Sequence, residues 1–284
     1  MGRILRAALV ASRPRRGINV EKVETCFAGC RVRGDWIVAP DVDPEGPPVL
    51  YIHGGAFSMC CPDTRRGLLG ELSAVAGRPM FAVRYHLAAK YIYAAAADDA
   101  LMSYRWLTGS DDPVSSRPVA VAGDSAGSQL AVGTMLGALA QHLPVPQAML
   151  FMSPVLDLTC RLAEAREASR QDPFASARSA SRARKLLVAG AELDDPRLNA
   201  LDAPLSGALP TLIRAGRNRD VVGRFPSIRP RNARRRSISG TAGISWSDPC
   251  IPGPVPTPTQ GVRRLAAKRR IPCRCGGFAS AGVC

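Results

Sequence analysis

The chain has 284 residues, 46% of them hydrophobic, which is enough to bury the core of one large domain. Its formal net charge of +15 is concentrated at one end: residues 217–284 hold 14 Lys and Arg against 2 Asp and Glu, whereas residues 1–216 hold 24 against 21. The body of the chain is therefore nearly neutral, and its charge does not indicate a nucleic-acid-binding fold.

Membrane insertion and secretion are not indicated by the first residues either. The apolar part of the opening segment, residues 7–11, is too short for the core of a secretory signal or for a membrane span, and no later stretch is long and apolar enough to cross a bilayer. The nine cysteines are odd in number and irregularly spaced in the body. These features together predict a cytoplasmic location.

Strand-like and helix-like segments alternate along the body of the chain. Short apolar runs predict strands, and longer Ala- and Leu-rich runs predict helices. The predicted strands are residues 36–39, 49–53, 80–85, 119–122, 148–152 and 211–215, and the predicted helices are residues 63–76, 94–107, 128–140 and 179–187. This alternation predicts an α/β fold with a doubly wound, mostly parallel sheet, in which ligand sites lie at the carboxyl ends of the strands.

The first motif follows the strand predicted at residues 49–53. Residues 53–57 read His-Gly-Gly-Ala-Phe, and the two glycines leave backbone N–H groups unobstructed by side chains. Acyl-transfer enzymes use such N–H groups to bind the oxyanion of a tetrahedral intermediate, and one donor contributes about 3–4 kcal/mol.

The second motif follows the strand predicted at residues 119–122. Residues 123–127 read Gly-Asp-Ser-Ala-Gly, which fits the G-x-S-x-G pattern of a nucleophile elbow. A helix is predicted directly after it, so the motif has the strand–turn–helix context that exposes a serine oxygen above a sheet. The small residues around the serine allow strand and helix to approach closely.

The two motifs resemble the H-G-G-G/A and G-D-S-A-G motifs of the hormone-sensitive-lipase-like family of α/β hydrolases. The resemblance covers about two thirds of the chain, with further matching pieces at residues 85–88, 98–100, 104–107, 153–159, 195–198 and 210–213. It implies a sheet of the α/β-hydrolase type and a serine esterase or lipase that hydrolyses small, short to medium acyl esters. It implies no metal and no other cofactor, and it leaves the oligomeric state open.

The resemblance also implies roles for residues of the two motifs. Ser125 is expected to be the nucleophile, and the N–H groups of Gly54, Gly55 and Ala126 are expected to line the oxyanion hole. His53 belongs to the oxyanion motif and is expected to stabilise its turn rather than to act as a base.

The remaining members of a catalytic triad are not evident. A serine hydrolase of this fold needs an acid and then a histidine after the serine, yet the only other histidines are His86 and His142, and none follows Gly216. His86 replaces a residue of the family's Y-R-L-A-P-E loop, and His142 lies at a predicted helix end. Asp124 and Asp157 match family positions that we interpret as structural. The chain is therefore expected to be inactive or strongly impaired.

A one-base change of reading frame near Gly216 accounts for both absences. Residues 217–225 allow codons that, read one base later, spell Glu-Thr-Glu-Thr-Leu-Leu-Val-Asp, similar to the family's E-x-L-L-x-D segment with its catalytic acid. Residues 248–252 allow Ile-His-Ala-Phe with the same offset, similar to the family's I-H-x-F with its catalytic histidine. The abrupt rise in Arg, Pro and Ser after Gly216 is typical of GC-rich coding sequence read out of frame. The coding DNA tests this hypothesis directly.

We accordingly expect three parts: an N-terminal cap-like segment (residues 1–33), a hydrolase core (34–216) and a basic tail (217–284). The tail is expected to be disordered and to lack the last strand and helix of the fold. Residues 229–236 are basic enough to contact phosphates but lack interleaved aromatics, so no specific nucleic acid is expected. Cys273 and Cys275 lack a second ligand pair for zinc. Two alternatives remain open: a catalytically dead remnant that at most binds acyl ligands, and a basic interaction protein.

Overall fold

The strands in the described part of the chain form one mixed sheet of seven strands. The structure is a computed structural model that describes residues 16–88, 90–109, 116–158, 160, 164–165, 181–182, 185 and 209–215. The strands in chain order are β1 (Asn19–Phe27), β2 (Cys30–Val38), β3 (Val49–Ile52), β4 (Met80–Val83), β5 (Ala120–Asp124), β6 (Met149–Met152) and β7 (Thr211–Arg214). Their order across the sheet is β1-β2-β4-β3-β5-β6-β7. The pairs β1–β2 and β2–β4 are antiparallel, and the other neighbouring strands are parallel.

Helices cover both faces of the parallel strands. The helices are α1 (Arg66–Ala76), which follows a short 3-10 helix at Pro62–Arg65, α2 (Tyr93–Thr108) and α3 (Ala126–Ala140). Every residue of β3 and β4 is buried, as expected for strands that are covered on both sides. One apolar cluster joins one face of the sheet to α2 and α3, and a second joins the opposite face to α1. The predicted doubly wound, mostly parallel architecture is confirmed.

The N-terminal strands differ from the prediction. A boundary was expected at residue 33, but β1 and β2 form a hairpin that belongs to the same sheet as the core. The hairpin turn is Ala28-Gly29, with φ of 49° and 79°, which fits the left-handed turns that join paired strands. β1 escaped the sequence prediction because its residues are mostly half-buried or exposed and include three charged side chains.

Several other predictions fall partly or wholly outside the described residues. Of the predicted helix at 179–187, only residues 181, 182 and 185 are described, and all three are helical. The tail at 217–284 and the opening residues 1–15 lie outside the described part of the chain. None of the described helices has both the length and the apolar character needed to cross a membrane.

Candidate active site

Ser125 lies on a sharp turn between β5 and α3. Its φ is 50° and its ψ is −119°, a backbone conformation that residues other than glycine rarely adopt and that indicates local strain. The turn is held by its own backbone: the Ser125 N–H donates to the Met152 carbonyl at 3.0 Å, and the Ser125 carbonyl accepts the N–H of Val155 at 3.1 Å. The strand–turn–helix context predicted for residues 123–127 is therefore present.

Small residues make this turn possible. A Cβ placed on Gly127 would lie 2.0 Å from the carbonyl oxygen of Ile52, and one placed on Gly123 would lie 2.6 Å from the Gly127 backbone. Real Cβ atoms essentially never come so close. Glycine at 127 therefore lets the start of α3 contact the end of β3, and glycine at 123 lets the end of β5 contact the start of α3.

The His-Gly-Gly segment after β3 lies beside Ser125. A Cβ placed on Gly54 would lie 2.6 Å from the Asp124 carbonyl oxygen and 3.0 Å from the Ser125 Cβ. Two motifs separated by about seventy residues in the sequence are thus brought into contact. This follows from the sheet order, since β3 and β5 are parallel neighbours with Ile52 aligned to Gly123.

The Gly54 amide differs from its expected role. Its N–H donates to Oδ1 of Asp124 at 2.8 Å, so this donor is already engaged and does not point freely at a reacting atom. Gly55 follows with a φ of 129°, and a Cβ there would lie 2.1 Å from the Met59 carbonyl oxygen. The chain therefore reverses at Gly55, where only glycine fits.

The N–H of Ala126, the residue directly after the serine, is another candidate donor. Ala126 is the first residue of α3. The first N–H groups of a helix have no partner within the helix, and they carry the positive end of its dipole. An anion that forms at Ser125 would therefore lie next to favourable partial charge.

The carboxylate of Asp124 is the most heavily hydrogen-bonded group near Ser125. Besides the Gly54 N–H, its Oδ1 accepts the Tyr51 hydroxyl at 2.7 Å and Nε of Arg65 at 3.2 Å, and its Oδ2 accepts Nη2 of Arg65 at 2.8 Å. Burial raises the pKa of the Asp124 carboxyl, but the hydrogen bonds and charge of Arg65 outweigh burial and hold that pKa below its usual range. Burial and the neighbouring carboxylate raise the pKa of Tyr51 well above 10.0.

Sequence reasoning gave Asp124 a structural role but identified neither of its side-chain partners. Arg65 and Tyr51 lie 59 and 73 residues away from Asp124. An arginine before a helix and a tyrosine within a buried strand carry no signal that they meet the same carboxylate. Their role becomes visible only when β3, β5 and the segment before α1 are packed together.

His53 is buried and engaged in the turn. Its Nδ1 lies 2.8 Å from the Gly54 carbonyl oxygen, its ring stacks on Tyr85 with centroids 4.2 Å apart, and the Tyr85 hydroxyl donates to the His53 carbonyl at 2.7 Å. Burial lowers the pKa of His53 to about 4. The ring is therefore neutral at pH 7, and its contacts are those of a residue that supports the turn.

His86 already uses both ring nitrogens. Its Nδ1 lies 2.6 Å from Oδ2 of Asp99, and its Nε2 lies 3.1 Å from Nη2 of Arg33. An arginine can only donate, so Nε2 is the acceptor in that bond and Nδ1–H donates to Asp99. The lone pair that a general base would use is thus occupied by Arg33.

His142 lies just beyond the far end of α3, which starts at Ala126. A helix of this length, at a rise of about 1.5 Å per residue, separates the exposed His142 from Ser125 by roughly 20 Å. The His86 ring is engaged by Arg33 and Asp99, and His142 is therefore too far from Ser125 to act as its base. Within the described residues no three His, Cys, Asp or Glu side chains lie close enough to share a metal ion.

Comparison with known proteins supports the hydrolase architecture. Residues 49–222 match a protein family described as having the alpha/beta hydrolase fold. The chain is 30% identical to an acetyl-hydrolase of Streptomyces hygroscopicus over 61% of its own length and 57% of that protein, and 36% identical to an ethyl acetate hydrolase of Pseudomonas putida over 43% of its own length and 40% of that protein. It thus spans about half the length of these relatives.

Solved structures show the same likeness. An esterase from the bacterial hormone-sensitive lipase family superposes with a TM-score of 0.68 at 25% identity, and the match covers 78% of this chain and 72% of that one. The match in three dimensions extends over more of the chain than the matches in sequence.

Proposed function

This chain belongs to the hormone-sensitive-lipase-like α/β hydrolases, and on that premise we propose that its site is built to hydrolyse carboxylic esters with Ser125 as the nucleophile. The observation that carries the proposal is the contact between two motifs. The strained turn at Ser125 lies against Gly54, where an added Cβ would be 3.0 Å from the serine Cβ. Strain held at a reactive side chain beside a glycine turn is typical of an acyl-transfer site.

The proposed chemistry begins with attack of the Ser125 Oγ on an ester carbonyl carbon. The carbonyl oxygen becomes an oxyanion, and we assign its donors to the backbone N–H groups of Gly55 and Ala126. The Gly54 N–H is bound to Asp124 and is given a supporting role. Collapse of the intermediate expels the alcohol and leaves an acyl group on Ser125, which water then removes.

Proton transfer is the missing part of this machinery. The three histidines of the chain are His53, His86 and His142. The rings of His53 and His86 are engaged in other contacts, and His142 lies beyond the far end of α3. Without a general base Ser125 stays a weakly nucleophilic alcohol, and loss of triad function leaves a residual acceleration of roughly 10³–10⁴ over water from the oxyanion hole and binding. We therefore propose an esterase site whose activity is strongly impaired.

Short acyl esters are the proposed substrates. Two relatives that are similar to part of this chain are an acetyl-hydrolase and an ethyl acetate hydrolase. Their names support the proposal that this site takes esters of small acyl groups. The expected reaction is hydrolysis of p-nitrophenyl acetate or butyrate at a rate little above that of the Ser125→Ala variant.

The test compares four proteins: the chain as written, a version with the reading frame restored after Gly216, and Ser125→Ala in each. The restored protein should hydrolyse p-nitrophenyl butyrate and gain the mass of a fluorophosphonate at Ser125, and its Ser125→Ala variant should do neither. If the restored protein folds but neither turns over nor reacts at Ser125, the nucleophile is wrongly assigned. If the chain as written shows an ordinary kcat that vanishes with Ser125→Ala, the account of the missing base is wrong and His86 becomes the first candidate.

A further inference from the structure

Arg65 makes an unusual contact for a residue that precedes a helix. It is the last residue of the 3-10 helix Pro62–Arg65, and its side chain is only 11% exposed. Instead of extending into solvent, its guanidinium meets the Asp124 carboxylate edge-on through Nε at 3.2 Å and Nη2 at 2.8 Å. A two-point contact of this kind fixes the plane of a carboxylate as well as neutralising its charge.

The carboxylate that Arg65 holds connects the two halves of the proposed site. Asp124 precedes the nucleophile Ser125 in the chain, and its Oδ1 accepts the N–H of Gly54 at 2.8 Å. That N–H belongs to the His53–Gly54 peptide, which directly precedes the Gly54–Gly55 peptide whose N–H is the assigned oxyanion donor. The orientation of the Asp124 carboxylate therefore constrains the orientation of the oxyanion turn.

We propose that Arg65 is a positioning residue that acts through the Asp124 carboxylate to hold the Gly54 peptide, and with it the oxyanion turn, in register with Ser125. The functional part of this inference rests on the function proposed above. Arg65 touches no reacting atom. Its effect is that the turn is already oriented before an oxyanion forms, and such preorganisation is the main source of oxyanion stabilisation.

Other groups around the carboxylate do not replace Arg65. Tyr51 supplies one neutral hydroxyl donor, and the ionisable groups that face Asp124 or Arg65 from the surrounding elements are Tyr51, His53, Tyr85 and Cys60. None of these four is positively charged at pH 7 when His53 is neutral. Removal of the Arg65 charge would leave a buried carboxylate with neutral donors only, a state that favours its protonation.

The first measurement follows the Gly54 amide itself. Gly54 is the only glycine in the chain that follows a histidine, so labelling the full chain with carbonyl-¹³C histidine and ¹⁵N glycine selects its amide signal in a carbonyl-edited NMR spectrum. Between pH 8 and pH 5 this signal should stay constant in the parent protein, because Asp124 remains ionised. In Arg65→Gln it should move with the titration of Asp124, and in Arg65→Lys, which keeps the charge but loses the two-point contact, it should move less.

Arg66→Gln is the matched control. It removes the same charge from the next residue, but Arg66 binds Asp35 and Asp63 rather than Asp124. Its Gly54 signal should behave as in the parent protein. If Arg65→Gln leaves the Gly54 signal constant over the whole pH range, or if Arg66→Gln moves it equally, the proposal is overturned.

The second measurement is the hydrolysis of p-nitrophenyl acetate by the protein with the reading frame restored, taken as the rate above that of its Ser125→Ala variant. This Ser125-dependent rate depends on stabilisation of the oxyanion, so Arg65→Gln in the restored protein should lower kcat about tenfold with KM unchanged, and Arg65→Lys should recover part of the loss. If the Gly54 signal titrates in Arg65→Gln but the Ser125-dependent kcat is unchanged, Arg65 only stabilises the fold and the positioning role is overturned. If the restored protein and its Ser125→Ala variant have equal rates, the proposed function fails, while the Gly54 titration in the full chain still decides whether Arg65 holds the turn.

Discussion

Replacing Gly127 by alanine should destabilise the protein severely, whereas the same replacement at Gly137 should not. Both glycines lie in α3. A Cβ on Gly127 would lie 2.0 Å from the carbonyl oxygen of Ile52, and ordinary contact begins at 3.4 Å. The obstacle is backbone at the end of a buried central strand, so either β3 or the start of α3 has to move. At Gly137 the nearest atom, at 2.8 Å, belongs to the flexible side chain of Leu101.

The expected magnitudes follow from two opposing effects. Alanine favours a helix over glycine by about 1 kcal/mol, which applies at both sites. Forcing an extra carbon into a packed interior costs about 1–3 kcal/mol, and more when backbone has to yield. We therefore expect Gly127→Ala to lower the free energy of unfolding by at least about 2 kcal/mol, and Gly137→Ala to change it by less than about 1 kcal/mol in either direction.

Urea unfolding followed by tryptophan fluorescence measures this difference, since Trp36 and Trp106 both pack against Phe81 in the core. A circular dichroism trace at 222 nm checks that helix and core unfold together. Equal unfolding midpoints for the two alanine variants would refute the argument that close backbone approach, rather than helix propensity, dictates the glycine at the elbow.

Three further predictions concern hydrogen bonding and pH. Tyr51→Phe removes a hydroxyl donor from the Asp124 carboxylate and should cost about 1.5–3 kcal/mol in urea unfolding at pH 7; a cost near zero would mean that another donor replaces it. The pKa of His53 is lowered from 6.5 to about 4, so as the pH falls the unfolded chain takes up a proton before the folded chain does. The free energy of unfolding should therefore decrease between about pH 6.5 and pH 4. His53→Gln should remove this dependence from urea unfolding curves recorded at pH 7, 5.5 and 4.5. Burial raises the pKa of Asp63, but hydrogen bonds from Arg84 and other donors outweigh burial and bring this pKa to about 2. Asp63→Asn should therefore reduce the decrease in the free energy of unfolding between about pH 4 and pH 2. An unchanged slope of that free energy against pH would contradict the lowered pKa of Asp63.

Much of the architecture was predictable because it depends on local patterns. Apolar runs such as residues 49–52 and 80–83 stand out since they are buried on both faces, and the elbow at residues 123–127 has a fixed order of small residues. The prediction failed at β1, whose exposure and charge resemble those of a loop. An antiparallel strand at the sheet edge needs only one buried face, so its sequence signal is weak.

The sequence motifs indicated residues of the proposed site but not the contacts between them. Motif spacing indicated Ser125, Gly55 and Ala126, and the position of the serine between β5 and α3 agrees with it. The same reasoning expected Gly54 to face the oxyanion, whereas its N–H binds Asp124. A motif indicates which backbone N–H groups are unobstructed by side chains. The direction in which each N–H group points depends on the acceptor that lies beside it in the folded chain.

The sequence by itself determined the alternation of strands and helices, the strained serine turn and the limit of three histidines, because all of these follow from neighbouring residues or from composition. Only the tertiary structure decided that Arg65 and Tyr51 meet Asp124, and that His86 is occupied by Asp99 and Arg33. These contacts join residues 13 to 73 positions apart. Their existence depends on the spacing of packed strands and helices, which no local pattern encodes.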